Sequence, residues 1–368
     1  PEGRLAGPGG APPGPFPFSS RARLRQDPPM AKMFALRRRR SLLAGAALAA
    51  VLSGSSAPVR AAEKKLFVLE DPARDDHGAG SITYPLRSMN DLGPGSLDIL
   101  SFSAWNVPNG TWFEVVFARA PQKTERRPID DGGTMLTDVA KLGFYTLNVD
   151  VYIDTDGKPG SGNTRMLPGR NVEVDPANAW EKAVVLTPLP EQAGTLLRRT
   201  YAEVERNQAR ETQSETGKLT AEQKAEIRSE VSRQVAESVF FPTVVEVRGR
   251  AVRFFVPLSF LGGPAKADWG YVVGSSGADV TARYDLVKLA GLKPDAPIDP
   301  LFILRTAPGR TDRTFGGADE DDPTPPALID VIVPPGASQE KLLSDSNLKA
   351  RTLPKLPAVV PSKLPPAK

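Results

Sequence analysis

Three clusters of acidic side chains lie beside turns rich in glycine or proline. Ca²⁺ gathers roughly six to eight oxygen ligands, and carboxylates on tight loops supply them. In the segment Asp154-Thr155-Asp156-Gly157, alternation points two carboxylates into one loop, and the glycine permits a sharp bend. Aspartates that cap their own turns are the alternative interpretation. The sequence therefore predicts calcium at Asp154 and Asp156, at Asp71, Asp75 and Asp76, and in the acidic run 319–322.

Aromatic side chains form a second group of candidates, because an aromatic face can bury the apolar side of a sugar ring. Trp180, Trp269 and Tyr84 lie next to turns, so we expect them to be exposed and to contact a ligand. Trp105 is a further candidate for the same role. Trp112 lies within a dense strand pattern and is expected in the core.

The residue counts exclude several kinds of chemistry. The chain of 368 residues contains no cysteine and one histidine, His77. Thiolate nucleophiles, Cys/His zinc sites, disulfides and two-histidine metal sites are therefore impossible. A haem held by His77 is not expected, since no cysteine could attach it. A glycosidase would need two facing carboxylates, but no pair stands out among so many acidic residues, and we expect no enzymatic activity.

The basic charge of the chain is concentrated at its beginning. The whole sequence has 47 basic and 43 acidic residues, and the first 61 residues hold ten and two of these, leaving 37 and 41. The remainder is therefore mildly acidic, and nucleic acid is not an expected partner.

A leader explains that distribution. After Met33 come four arginines (37–40), an apolar stretch (42–52) and a small-residue cleavage site ending at Ala61. This order is typical of a secretory signal peptide. We predict that residues 33–61 are removed on export, by the general or the twin-arginine route, and that residues 1–32 are disordered or precede the true start. The mature protein is then periplasmic, cell-surface or secreted.

Short alternating runs bounded by Gly, Pro, Asn and Asp fill most of the mature chain. They predict a mainly β fold, an antiparallel β-sandwich, and Asn109-Gly110 indicates a hairpin turn. Strand runs are predicted at 66–69, 97–105, 111–118, 144–153, 183–186, 243–247, 251–256 and 271–273.

One region between about 191 and 239 instead predicts two helices. Thr220 opens a capping box, and Ile227, Val231 and Val235 recur every four residues. We expect this stripe to pack the helices on each other or on the sandwich. The alternative is a hairpin that dimerises or binds an envelope or protein partner. We expect the sandwich to fold without this insertion. The sandwich itself is predicted over 62–346, followed by a disordered tail rich in proline and lysine over 347–368.

Five segments, in order, resemble the C-terminal domain of glucodextranase and related glycosidases, a DOMON-like family. They are LEDP with DDHG and ITYP (69–85), GSLDILSF (95–102), VDVYIDTDGKPGSGNTRMLPGRN with Ala179-Trp180, FVP with WGY (255–257 and 269–271), and FGGADEDDPTPPALIDVIVP (315–334). The resemblance implies an immunoglobulin-like sandwich that recognises carbohydrate without doing chemistry.

These observations together predict an exported, non-catalytic module that binds an α-glucan-like polysaccharide or oligosaccharide. The alternative prediction is a calcium-stabilised cell-envelope scaffold that binds protein or cell wall through its helical insertion and its tail. The helical insertion is additional to the family pattern, and its role stays open.

Overall fold

A computed structural model of the chain describes residues 64–86, 91–129, 132–212, 218–280, 302–308, 314–318, 325–347, 350 and 352–365. The predicted leader and the residues before it lie outside these ranges, as does the acidic run 319–322. Within them, no helix has both the length and the apolar character needed to cross a membrane.

Most of the described elements are short strands, as the alternating pattern predicts. In chain order the elements are β1 (Phe67–Glu70), β2 (Ile99–Val107), β3 (Gly110–Phe117), α1 (Leu136–Val139), β4 (Leu147–Asp154), β5 (Glu173–Val174), β6 (Lys182–Leu186), α2 (Pro190–Thr212), α3 (Ala221–Ser238), β7 (Val239–Phe240), β8 (Val245–Arg248), β9 (Ala251–Pro257), α4 (Leu258–Leu261), β10 (Gly270–Gly277), β11 (Thr306–Pro308), β12 (Phe315–Ala318), β13 (Asp330–Ile332), α5 (Gln339–Ser344) and β14 (Lys355–Leu356).

Two five-stranded sheets form the sandwich. The first has the strand order β1-β2-β3-β9-β8 and is antiparallel throughout, and the second has the order β13-β10-β4-β6-β7. In the second sheet, β6 and β7 pair in parallel, and the other neighbours are antiparallel. The predicted mainly β sandwich with a two-helix insertion is confirmed.

The principal core lies between the two sheets. Every second residue of the first sheet points inward, so Phe102, Phe113 and Phe254 are fully buried there. From the second sheet, Val151 and Tyr271 meet them, and the Phe102 and Tyr271 rings lie 6.1 Å apart. This packing leaves the alternate residues of the first sheet on its outer face.

A second core covers the outer face of the second sheet. There, Tyr152 and Val185 pack with Leu197, Val231 and Val235 of the two long helices. Since both faces of the second sheet are covered, all eight residues of β4 are buried. The apolar stripe of α3 thus packs on the sandwich, and the expectation that the sandwich can fold without the insertion conflicts with this burial.

The helices begin and end close to the predicted limits. The predicted capping box is present: the Thr220 hydroxyl accepts a hydrogen bond from the Gln223 backbone N–H, and the Gln223 side chain accepts one from the Thr220 N–H. Together these bonds satisfy two of the N–H groups that the first turn of a helix leaves free.

The C-terminal segment differs from the disordered tail that the sequence predicts over 347–368. Within its described part, β14 pairs in parallel with β5, and Val359 exchanges two backbone hydrogen bonds with Tyr271. Leu356 and Val359 are 1% and 3% exposed. Prolines prevent a long strand, but they do not prevent single apolar residues from filling gaps in the two cores.

Candidate functional site

A row of apolar side chains crosses the outer face of the first sheet. Trp105 of β2 lies opposite Trp112 of β3, which lies opposite Phe255 of β9. Strand alternation places Leu66 beside Trp105 at one edge of the sheet, next to β1. At the other edge Val244 lies beside Phe255, whose N–H donates to the Val244 carbonyl. We call these five residues the apolar row. With strands about 4.8 Å apart, the row is about 19 Å long.

Part of the apolar row is open to solvent. Leu66 is 38% and Val244 is 53% exposed, while Trp112 and Phe255 are half-buried. The indole rings of Trp105 and Trp112 are stacked at 6.3 Å with 9° between their planes, and Phe255 lies 5.6 Å from Trp112. Trp105 is 3% exposed and supports its neighbours from below the surface. The result is a pair of partly exposed aromatic rings, Trp112 and Phe255, whose planes are tilted by 58° and which are flanked by aliphatic groups.

Charged side chains border the apolar row on the same face. Glu114 accepts hydrogen bonds from Lys65 at 2.9 Å and from Arg253 at 2.5 Å. Although burial alone would raise the pKa of Glu114, these two cations hold it below its usual value. The Arg253 guanidinium in turn lies over the Trp105 ring, 4.9 Å from its centroid. This network fixes the edge of the aromatic surface and supplies polar groups next to it.

The structure buries the four aromatic residues that the sequence nominates for ligand contact. Trp180 is 4%, Trp269 is 7% and Tyr84 is 7% exposed, so their predicted exposure is wrong. Trp180 packs against Tyr152 beneath the helices, and Trp269 lies in the principal core. A position next to a turn does not give exposure here, because other segments cover those turns. Trp105 is also buried, but it belongs to the apolar row.

Sequence reasoning missed Trp112, Phe255 and Val244 and placed Trp112 in the core. A signal for the first two is present. Glu114 follows Trp112 by two residues, and Arg253 precedes Phe255 by two. Since residues two apart on a strand share a face, each charged residue marks its aromatic neighbour as outward-facing.

The first acidic cluster is larger than the sequence indicates. One carboxylate oxygen from each of Asp71, Asp75 and Asp330 lies within 4.8 Å of the others. Asp98, which is 1% exposed, lies close enough to raise the pKa of Asp71. We call Asp71, Asp75, Asp98 and Asp330 the carboxylate cluster.

Asp76, which the sequence groups with Asp71 and Asp75, is hydrogen-bonded to groups outside the carboxylate cluster. Its Oδ2 accepts hydrogen bonds from the Tyr84 hydroxyl at 2.6 Å and the Gly95 N–H at 2.7 Å. Its Oδ1 lies 3.9 Å from the exposed His77 ring. Asp76 therefore fastens the loop that contains Tyr84, and the polar end of Tyr84 is occupied inside the protein.

The second acidic cluster combines Asp154 and Asp156 with Glu181, whose oxygens also lie within 4.8 Å of one another. Asp154 accepts hydrogen bonds from the N–H groups of Asp156 and Gly157, and Glu181 accepts from the Thr155 N–H and hydroxyl. Asp156 is exposed and accepts from the Lys158 N–H and the Ser161 hydroxyl. These contacts match the turn-capping alternative.

The fold and the apolar row define a class of protein, a β-sandwich module with partly exposed aromatic residues on an outer sheet face. The family model described as the C-terminal binding module, SLH-like, of glucodextranase matches residues 66–357. The chain therefore belongs to this family, as the sequence resemblance indicates. No curated protein matches the sequence.

Proposed function

We propose that the chain is a carbohydrate-binding module whose platform is the apolar row, and that its ligand is an α-glucan-like polysaccharide or oligosaccharide. The observation that carries this proposal is the register of Trp105, Trp112 and Phe255 on three adjacent strands of an outer sheet face. Family membership supports the ligand class, because the family's description names a binding module of glucodextranase.

The shape of the apolar row favours an extended chain over a single sugar. Pyranose rings have an apolar face that stacks on aromatic rings, and hydroxyl groups at their edges that need hydrogen-bond partners. The rings of Trp112 and Phe255 serve the first need. Lys65 and Arg253, which are 40% and 21% exposed in their side chains, lie alongside and serve the second. Trp112 and Phe255 lie on adjacent strands and offer two neighbouring stacking positions within a row about 19 Å long.

The same face is poorly suited to hydrolysis. A glycosidase needs one carboxyl group with a raised pKa as general acid and a second carboxylate facing it. Glu114 is held ionised by Lys65 and Arg253, which lower its pKa against the opposing effect of burial. We therefore propose a module that binds without catalysis.

We also propose that the protein works outside the cytoplasm, in the periplasm, at the cell surface or after secretion. The signal-peptide pattern that follows Met33 and the polysaccharide ligand both support this location. Recovery of a mature chain beginning near Ala62 from the cell exterior or periplasm would test it, and intact leader on soluble cytoplasmic protein would contradict it.

Affinity electrophoresis in gels containing dextran, starch or cellulose tests the ligand. Retardation is expected in an α-glucan gel, and Trp112→Ala or Phe255→Ala should weaken binding by ~1–3 kcal/mol, about fivefold to a hundredfold. Leu86→Ala is the matched control, since Leu86 is 57% exposed and lies off the apolar row. Equal affinity of all four proteins would contradict the platform.

Absence of binding to every polysaccharide and to a glycan array would favour the alternative function, a calcium-stabilised envelope scaffold. In that case the partner surface would be the outer side of the helical insertion. There Arg233 pairs with Glu230 and Glu237 on an exposed, charged face.

A further inference from the structure

The carboxylate cluster lies where the two sheets meet at one end of the sandwich. Asp71 directly follows β1, and Asp98 directly precedes β2, so both belong to the first sheet. Asp330 opens β13 of the second sheet, and its Oδ2 accepts a hydrogen bond from the Ile99 N–H at 2.5 Å. Whatever holds these carboxylates together therefore holds the two sheets together.

Several oxygens in this cluster are buried without a hydrogen-bond partner. They are both oxygens of Asp71, Oδ1 of Asp75 and Oδ1 of Asp98. Asp98 is 1% exposed, and its other oxygen accepts from the Arg74 backbone N–H at 2.8 Å. That bond fixes the orientation of the carboxylate and leaves Oδ1 among its acidic neighbours. Buried polar atoms in native proteins nearly always have partners, so these four oxygens call for one.

Among the residues that the structure describes, no basic side chain supplies that partner. Within the described ranges, no lysine or arginine side chain forms an ion pair with Asp71, Asp75, Asp98 or Asp330. Carboxylate oxygens of Asp71, Asp75 and Asp330 lie within 4.8 Å of one another, so without a cation between them the ionised groups repel.

We propose that the carboxylate cluster binds one Ca²⁺ ion, which fastens the ends of β1 and β2 in the first sheet to β13 in the second. The oxygens of Asp71, Asp75 and Asp330 that lie within 4.8 Å of one another can reach a central ion at the ~2.3–2.6 Å typical of calcium. Asp98 adds a buried oxygen that has no partner among the described residues. The four carboxylates come from a loop and from strand ends in both sheets, an irregular set that suits the flexible coordination of calcium better than the strict octahedron of magnesium.

The site is independent of the proposed carbohydrate platform. Asp98 and Trp105 are seven residues apart along the β2 segment, a distance of roughly 24 Å in an extended strand. Calcium here would act on stability, and failure of either proposal would leave the other intact.

Calcium titration of the full chain, freed of metal with a chelator, tests this site. Calorimetry should give one bound ion per chain, and millimolar CaCl₂ should raise the unfolding midpoint. Asp98→Asn is expected to weaken calcium affinity at least tenfold. Asp154→Asn with Asp156→Asn is the matched control and should keep the midpoint shift, because that cluster already has its hydrogen bonds.

A further variant keeps the test meaningful if Asp98→Asn folds poorly. Asp71→Asn leaves the hydrogen bond from the Arg74 N–H to Asp98 in place, and it should likewise weaken calcium affinity at least tenfold. Unchanged calorimetry and midpoint on adding CaCl₂ to the wild-type chain would overturn the proposal. So would a shift lost in the Asp154/Asp156 variant, or an equal shift with MgCl₂.

Discussion

Removal of the guanidinium of Arg170 should destabilise the fold more than most single changes, because its ion pair is buried. Arg170 is 0% and Asp150 is 2% exposed in their side chains. Arg170 Nε and Nη2 donate to the two Asp150 oxygens at 2.5 and 2.8 Å. In Arg170→Met, the aliphatic volume is largely kept. The Asp150 carboxylate then stays in the second core with the Tyr152 hydroxyl, at 3.3 Å, as a remaining donor.

The expected cost follows from this burial. Breaking a buried pair by removing one partner typically costs ~3–5 kcal/mol, because the other charge is left uncompensated. That is a large part of the ~5–15 kcal/mol by which native domains are stable. For a chain of this size, with an unfolding entropy of ~2.1 cal/mol/K per residue, it corresponds to a fall in unfolding midpoint of roughly 4–8 °C.

The variant should also acquire a pH dependence that identifies the cause. A lone buried carboxylate takes up a proton more readily than the same group in the unfolded chain. Where only the folded state holds that proton, the free energy of unfolding falls as pH rises, by up to ~1.4 kcal/mol per unit. Arg170→Met should therefore recover part of its lost stability between pH 7 and pH 5.

Urea denaturation at pH 5, 6 and 7, followed by tryptophan fluorescence, measures both effects. Arg233→Met is the matched control, since Arg233 pairs with Glu230 and Glu237 on the exposed face of α3. It should leave the free energy of unfolding nearly unchanged, because an ion pair in solvent is screened and contributes little. A loss below 1 kcal/mol for Arg170→Met, or a loss that is independent of pH, would refute the reasoning.

Three further predictions concern other parts of the fold. Lys65 and Arg253 lower the pKa of Glu114 although burial opposes them. The ionised Glu114 should therefore stabilise the fold above pH ~4.3, the usual pKa of a glutamate. This stabilisation should be lost as the pH falls through the lower pKa that Glu114 has in the folded state. Glu114→Gln should remove this acid dependence in urea denaturation, at about 1 kcal/mol near neutral pH. Replacement of 191–238 by a Gly/Ser linker should expose the outer face of the second sheet, and calorimetry should then show no cooperative transition; a retained transition would contradict the role of the second core. Leu356→Ala should cost ~2–5 kcal/mol in urea denaturation, because Leu356 is 1% exposed; an effect below 0.5 kcal/mol would mean that this segment is not held in the core.

The strand pattern could be predicted from sequence because alternation is a local property. In the segment TWFEVVFA, the inward residues Phe113, Val115 and Phe117 alternate with Trp112 and Glu114, as a half-buried strand requires. The capping box at Thr220 is equally local. Alternation separates two faces, but it does not say which face a second layer covers.

Burial of Trp180 depends on that second layer. Its position before β6 suggests an exposed turn, yet helices about 20–50 residues further along the chain cover the same face of the sheet. The C-terminal segment is a similar case, since Leu356 fills a gap in the second core although its neighbours include prolines. Neither outcome is visible in the local sequence, because each depends on contacts between distant segments.

The acidic clusters also depend on contacts between distant segments, which the local sequence does not show. Asp71 and Asp75 are close in sequence and attract attention, whereas Asp98 and Asp330 join them only because the two sheets come together there. Carboxylates at Asp154 and Asp156 have the more suggestive spacing, and their oxygens accept hydrogen bonds from turn N–H groups. Those at Asp71 and Asp98 retain buried oxygens with no partner. Close spacing in the sequence can bring carboxylates into one loop. A cation is required only where the backbone leaves their oxygens without hydrogen-bond partners. Which oxygens those are depends on the backbone geometry, which the residue pattern does not show.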